Sequence, residues 1–236
     1  VHFSVSSGQI DVPAVAVADF DGDGLKDLMM QTKPDRLTLS QGVADKDLFA
    51  DDSTRIEVDL PRNGTLVESE DIDNDGRDEI VGSDDGRGRG IRIYEIPRDP
   101  RDALTWSWTT VDDSPLHGLG IGDLNADGQL DIVSDFVWFE QRTDGQWTKH
   151  PLPTPTTERD NISREIMAMQ VKVYDVDADG DQDILLTRAH HYGAFWLEST
   201  GGARPKFTLH KILPGKLPSQ LHGVAYGDID GDGDMD

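Results

Sequence analysis

The apolar residues of this chain come in short runs, paired around acidic stretches. AVAVAD (14–19) precedes one such stretch and KDLMMQ (26–31) follows it. LGIGD (119–123) and DIVSDFVWFE (131–140) flank a second, and QVKVYD (170–175) and DILLTR (183–188) flank a third. The runs are rich in β-branched residues and bounded by Gly, Pro or Asp clusters, which is the pattern of strands rather than helices. One stretch predicts strands at His117–Gly122, Leu130–Ser134, Phe136–Gln141 and Gln146–Leu152. The next predicts Met167–Tyr174, Asp183–Arg188, Ala194–Ser199 and Lys206–Leu213.

The acidic stretches repeat: DFDGDGLKD (19–27), DIDNDGRDE (71–79), DLNADGQLD (123–131), DVDADGDQD (175–183) and DIDGDGDMD (228–236). Their starts lie 52 or 53 residues apart. Four strands per period of this length is the signature of a β-propeller blade, with the acidic loop joining the innermost strand to the second. The predicted fold is all-β, a propeller of four-stranded blades. Repeats are expected at 13–62, 63–115, 116–165 and 166–220, and a shortened one at 221–236. Residues 1–12 would form a lone fourth strand. About four and a half blades leave sheet edges open, so the expectation is part of a larger ring, with further blades missing. PLPTPTTERDNISRE (151–165) reads as an insertion between blades.

Each loop places oxygen ligands at positions 1, 3, 5 and 9 and glycine at position 6. The side chains are Asp19, Asp21, Asp23 and Asp27, then Asp71, Asp73, Asp75 and Glu79, then Asp123, Asn125, Asp127 and Asp131. The last two sets are Asp175, Asp177, Asp179 and Asp183, and Asp228, Asp230, Asp232 and Asp236. The position 7 carbonyls of Leu25, Arg77, Gln129, Asp181 and Asp234 would add a further oxygen each. Calcium, a hard cation that takes six to eight oxygens, suits such a set. An EF-hand would need a glutamate at position 12 and helical flanks, and neither is present. The loops hold nearly half of the 46 acidic residues and almost all of the net charge of −24.

D-x-D-x-D-G-x-x-D between strands, once per blade, resembles the FG-GAP or VCBS repeats of integrin-α-type propellers. VWFEQRTDGQWTKHPL (137–152) and FWLESTGGARPKFTLHKI (195–212) are similar to the third and fourth strands of such repeats in secreted proteins. The resemblance implies a calcium-stabilised propeller, usually of seven blades, that is secreted, extracellular or periplasmic. It implies no single activity, since its members include adhesion modules, lectins and parts of polysaccharide lyases and sugar dehydratases.

Candidate chemistry beyond the loops centres on histidine. His117 and His222 each lie six residues before an acidic loop, at the start of an innermost strand. His190 and His191 occupy a turn between second and third strands, which shares that face. Three such imidazoles, with Asp135 or Asp84, could hold zinc or another transition metal. His117, His191, His222 and Tyr192 would then be the catalytic groups of a lyase or dehydratase acting on a sugar or uronic acid. The alternative is that His117 and His222 are repeat residues satisfied by local backbone. His150 and His210 occupy matching fourth strands and read as scaffold. Trp138 and Trp196 occupy matching third strands and read as packing between blades, as do most of Trp106, Trp108 and Trp147. Arg87 and Arg89 could hold a uronic acid or sulfate, or simply belong to a solvated loop. Asn63 and Asn161 open glycosylation sequons.

Strong acidity argues against nucleic acid as a partner. Clustering of the acids, with apolar runs between, argues against a disordered acidic chain. No apolar run approaches a membrane span, and the N-terminus carries no signal-peptide pattern, as expected of a mature chain or a fragment. With no cysteine, disulfides are not the staple. No nucleophile elbow, Walker loop or dinucleotide fingerprint is present. The reading is a calcium-stabilised module binding a carbohydrate or protein ligand on the face opposite the loops, with the metal-dependent enzyme as its alternative. A lectin would repeat its rim residues from blade to blade, and these differ.

Overall fold

The computed structural model describes residues 15–20, 22, 24–33, 36–40, 56–59, 66–84, 90–97, 106–155, 168–188 and 193–212. These contain sixteen strands and no helix. The first sheet holds β1 (Val15–Ala18), β2 (Asp27–Lys33), β3 (Arg36–Ser40) and β4 (Ile56–Asp59). The second holds β5 (Leu66–Glu70), β6 (Glu79–Asp84), β7 (Gly90–Glu95) and β8 (Ser107–Asp112). The third holds β9 (Gly120–Gly122), β10 (Asp131–Ser134), β11 (Val137–Gln141) and β12 (Trp147–Pro151). The fourth holds β13 (Ala168–Tyr174), β14 (Asp183–Arg188), β15 (Ala194–Ser199) and β16 (Phe207–Lys211). Within each sheet the strands pair antiparallel in chain order. The first strands of consecutive sheets lie against one another, β1 on β5, β5 on β9 and β9 on β13. Four-stranded sheets joined at their first strands are propeller blades.

The core lies between blades, and the second strand of a blade shows why. Ile132 packs with Ile72, Val81, Ile91 and Ile93 of the second sheet. Its neighbour Val133 packs with Val171, Ile184, Leu186 and Phe195 of the fourth. Successive side chains of a strand face opposite ways, so a strand sandwiched between two blades must be apolar on both faces. All four residues of β10 are accordingly buried. The outermost β8 is exposed along most of its length, and Trp108 on it is 52% exposed, unlike the core residue Trp138 at 5%.

The innermost strand β9 is shorter than expected. Residues 117–119 leave the ladder at Gly118, which has φ +76°, and His117 O instead accepts the Asp135 N–H at 3.0 Å. In β9 itself, Ile121 packs toward the second-sheet core while Gly120 and Gly122 face β13. A Cβ on Gly120 would lie 2.8 Å from Val171 Cγ1, and one on Gly122 would overlap Val173. The absent side chains let β13 close on β9, and Lys172 Nζ of β13 reaches Glu68 Oε1 of β5 at 3.0 Å.

Gly122→Ala is expected to destabilise the protein by about 1–3 kcal/mol, the usual range for overpacking a closed interface. A lower urea midpoint with an unchanged slope checks this.

Candidate metal centres

The acidic loops follow one local plan. At position 1, Asp71 accepts the N–H of Asp75 at 3.0 Å and of Gly76 at 2.9 Å. Asp123 does the same for Asp127 and Gly128, at 3.1 and 2.9 Å, and Asp175 for Asp179 and Gly180, at 3.1 and 2.9 Å. Asp19 accepts from Gly22 and Gly24. Position 5 turns back on position 7, with Asp75, Asp127 and Asp179 accepting from Arg77, Gln129 and Asp181. The position 6 glycines, Gly24, Gly76, Gly128 and Gly180, have φ between +83° and +96° with open space around each. Backbone conformation, not crowding, requires glycine there. Position 4 is also left-handed, at Asn74, Ala126 and Ala178.

Position 9 behaves differently from the rest. Its carboxylate points into the blade and accepts the N–H of position 2 of its own loop. The pairs are Asp27 with Phe20 (2.9 Å), Glu79 with Ile72 (2.9 Å), Asp131 with Leu124 (3.1 Å) and Asp183 with Val176 (3.1 Å). In the third and fourth sheets the second oxygen accepts from the third strand, Asp131 from Gln141 at 2.9 Å and Asp183 from Ser199 at 2.7 Å. Asp27, Glu79, Asp131 and Asp183 are no more than 3% exposed, whereas positions 3 and 5 of the second and fourth loops are open to solvent. Spacing alone had made position 9 a ligand like the others. Its role as a backbone clasp went unread, and the buried apolar residue at position 2 was the available signal.

Ligand oxygens do converge. One atom each from Asp71, Asp73 and Glu79 lie within 4.8 Å of one another, as do those from Asp175, Asp177 and Asp183. Hard, anionic, oxygen-only donor sets of this kind fit calcium or another hard divalent cation. The third loop is built with less charge, since Asn125 Nδ2 donates to Asp127 Oδ2 at 3.0 Å and its Oδ1 accepts from the Asp127 N–H. In the first loop Asp19, Leu25 and Asp27 are described, and Asp21 and Asp23 lie outside the described residues. So does the whole fifth loop with Asp228, Asp230, Asp232, Asp234 and Asp236.

Crowded carboxylates in a partly dry site hold protons tightly. Burial, with Asp73, Glu95 and Asp75 nearby, raises Glu79 from 4.5 to about 7, against the Ile72 hydrogen bond. Burial, with Asp127 nearby, raises Asp131 from 3.8 to about 7, although the Gln141 and Leu124 N–H groups oppose it. Asp183 is raised for the same first reason.

The rim histidines divide. His117 is 4% exposed, its Nδ1 lies 2.6 Å from Ala168 O, and its backbone N–H donates to Asp135 Oδ2 at 3.0 Å. Asp135 Oδ1 accepts the Ala168 N–H at 2.8 Å. His117 and Asp135 thus tie the third blade to the start of the fourth. His190, His191, Tyr192 and His222 lie outside the described residues, as do Arg87, Arg89, Asn63 and Asn161. Asp84 ends β6, paired with Gly90. His150 and His210 stack on Trp138 and Trp196, with centroids 4.5 and 4.7 Å apart, and bond Glu140 and Glu198 at 2.8 and 2.6 Å.

Two substitutions separate the roles of position 5 and position 9. Asp127→Ala is expected to lower the melting temperature in calcium and to change it little in chelator. At free calcium ten times Kd, one site adds about 1.4 kcal/mol. Asp131→Ala is expected to cost about 1–3 kcal/mol in chelator as well, because it leaves buried N–H groups unpaired.

The raised acids also set a pH dependence. Folding raises their pKa, so the metal-free fold binds protons that the unfolded chain has released. That contribution is complete below the unfolded values of 4.5 and 3.8 and is lost as pH rises through about 7. In chelator, Asp131→Asn should therefore show a shallower fall in stability between those limits than the parent, and parallel melting curves against pH would overturn this.

The FG-GAP-like repeat family model matches residues 71–134 and 175–236. No curated protein matches the chain. Among solved structures, the crystal structure of BBS1N in complex with ARL6DN, soaked with lead, aligns at TM-score 0.50 and 10% identity over 96% of this chain and 59% of that one. The V. cholerae biofilm matrix protein Bap1 aligns at TM-score 0.46 and 18% identity over 78% of this chain and 26% of that one. The chain thus spans less than two thirds of either. At such identity the first likeness speaks to fold alone, and it agrees with the blade architecture. The two family matches cover more than half of the sequence and include four of the five acidic loops, so the chain belongs to the FG-GAP-like repeat family.

Proposed function

We propose that residues 1–236 form one partial β-propeller, with repeats near 13–62, 63–115, 116–165, 166–220 and 221–236. It acts outside the cytosol as a calcium-stabilised module for binding a protein or carbohydrate. The observation that carries this reading is the recurrence of one oxygen cradle at the same turn of successive blades. A cradle repeated at every blade is suited to holding the fold. Ligand specificity is left to surfaces that differ between blades.

Cradles whose positions 3 and 5 are open to water, as in the second and fourth loops, suit weak calcium affinity. Such sites fill at extracellular calcium, which is where sites of millimolar strength work. BBS1N, the neighbour in fold, was crystallised in complex with ARL6DN, which supports protein binding as a use of this architecture. The enzyme alternative needs His117, His191, Tyr192 and His222 at one mouth. His117 is instead engaged between blades, which favours the binding module.

Calorimetric titration of the metal-free protein is expected to give calcium dissociation constants of about 10⁻⁴–10⁻³ M. Submicromolar sites would place the protein with cytosolic calcium binders and overturn the extracellular reading. Equal melting temperatures with and without calcium would overturn the stabilising role itself.

A further inference from the structure

Beside the third cradle, whose Asn125 lies 3.5 Å from the wall residue Glu140, the third and fourth blades part between their outer strands and leave a pocket of about 420 Å³. Its walls include Trp138 and Glu140 of β11, Arg142 just after it, Thr148 and His150 of β12, and Arg204 of the β15–β16 turn. We propose that this pocket binds an acidic sugar, a hydroxyl-bearing ring carrying a carboxylate or a sulfate, whose anionic group is clamped by Arg142 and Arg204.

Charge is the first reason. In a chain of net charge −24, two arginines face one cavity, and neither guanidinium has a hydrogen bond or ion pair among the described residues. The carboxylate beside them is already engaged. Glu140 Oε2 accepts from His150 Nε2 at 2.8 Å, and Oε1 lies 3.5 Å from Asn125 Nδ2. The pocket therefore keeps an excess of cationic donors. Guanidinium groups are planar forks that match carboxylate and sulfate oxygens.

The repeat supplies the second reason. Trp138, Glu140 and His150 have counterparts in Trp196, Glu198 and His210, with the same stack and the same ion pair. Those residues are explained by the blade itself. The residue matching Arg142 is Thr200, so the fold does not ask for arginine at that point.

Shape is the third. Both arginines stand on closed turns. Arg142 N–H donates to Gln146 O at 2.9 Å and Gly145 N–H to Arg142 O at 2.8 Å, while Thr200 N–H donates to Lys206 O at 3.0 Å. The Lys206 N–H in turn donates to Thr200 Oγ1 at 3.0 Å. The backbone that carries each arginine is thus fixed before a ligand arrives, which limits the ordering cost to the side chains themselves. The volume falls in the range of about 300–1,000 Å³ common to small-molecule sites. One face of Trp138 is covered by His150 and its ring meets Phe207 edge-on at 6.2 Å, so the indole is not a bare platform for an aromatic ligand. Thr148 and the His150–Glu140 pair instead offer polar groups suited to sugar hydroxyls. This site is separate from the ligand face proposed above. Because its test is read in saturating calcium, failure of sugar binding and failure of calcium stabilisation are distinct results.

The test is calorimetric titration with glucuronate, N-acetylglucosamine 6-sulfate, glucose and inorganic sulfate. At least one acidic sugar is expected to bind, and glucose and inorganic sulfate should each bind about tenfold more weakly, or worse. The double substitution Arg142→Ala/Arg204→Ala should weaken the acidic sugar by about tenfold or more. Its melting temperature in calcium should not change, since neither side chain holds another described residue. Arg142→Lys/Arg204→Lys, which keeps charge but loses the fork, should fall between. Binding of neither acidic sugar, equal binding of glucose, or full binding by the alanine variant would each overturn the proposal. Inorganic sulfate binding as tightly as the sugars would reduce the pocket to a bare anion site and overturn the saccharide assignment.

Discussion

The fold turns on a buried carboxylate. In each described loop the position 9 acid leaves solvent and accepts the N–H of position 2, which fixes the loop as a closed unit between first and second strands. In the third and fourth blades the same group also accepts from the third strand. One carboxylate thus sets the relative placement of three strands. It does so with backbone N–H groups that would otherwise be left unpaired inside the blade, where an orphaned donor is costly. Position 2 follows from this. Its backbone faces the buried acid, and Phe20, Ile72 and Leu124 carry their side chains into the core beside it.

A second constraint comes from stacking blades face to face. Every central strand must serve two cores at once, which is why Ile132 and Val133 belong to different clusters. The innermost strands converge and leave little room between neighbours. Gly120 and Gly122 meet that limit by carrying no side chain toward β13, while Ile121 keeps an apolar contact on the other face. His117 and Asp135 close the opposite end of the same junction through backbone groups of Ala168. The junction is therefore held by side chains at one end and opened by their absence at the other.

How much of this was legible in the sequence depends on whether a feature is periodic. The acidic loops repeat, so their number, spacing and connecting strands could be read directly, and β14 and β15 fall where alternation places them. Features set by contacts distant along the chain, within a blade or between blades, left no local trace. The sequence of β9 reads as a longer strand, because nothing in His117–Leu119 reveals that Asp135 and Ser134 will draw its carbonyls away. Asp135 reads as a candidate ligand, yet both of its oxygens accept backbone N–H groups from two blades. Trp108 reads as packing by analogy with its relatives but sits on an outermost strand, where one face has water as its neighbour. The pocket beside Arg142 and Arg204 was invisible for the same reason, since its two anchors lie in different repeats.

The two kinds of carboxylate in a loop also explain why a cation belongs there. Position 9 is placed by folding, whether or not a metal is present, because the backbone needs it as an acceptor. Burial then raises its proton affinity, and the exposed acids at positions 3 and 5 of the second and fourth loops gather close by. Without a counter-charge, folding brings together groups that repel, and protons are the only available relief. A divalent cation answers both demands, because it neutralises the exposed acids and stabilises the ionised form of the buried one. The clasp that builds the blade thus creates the electrostatic demand that a cation fills. A capacity to hold a metal thus follows from how the strands are joined, rather than from a separate feature added to the loop.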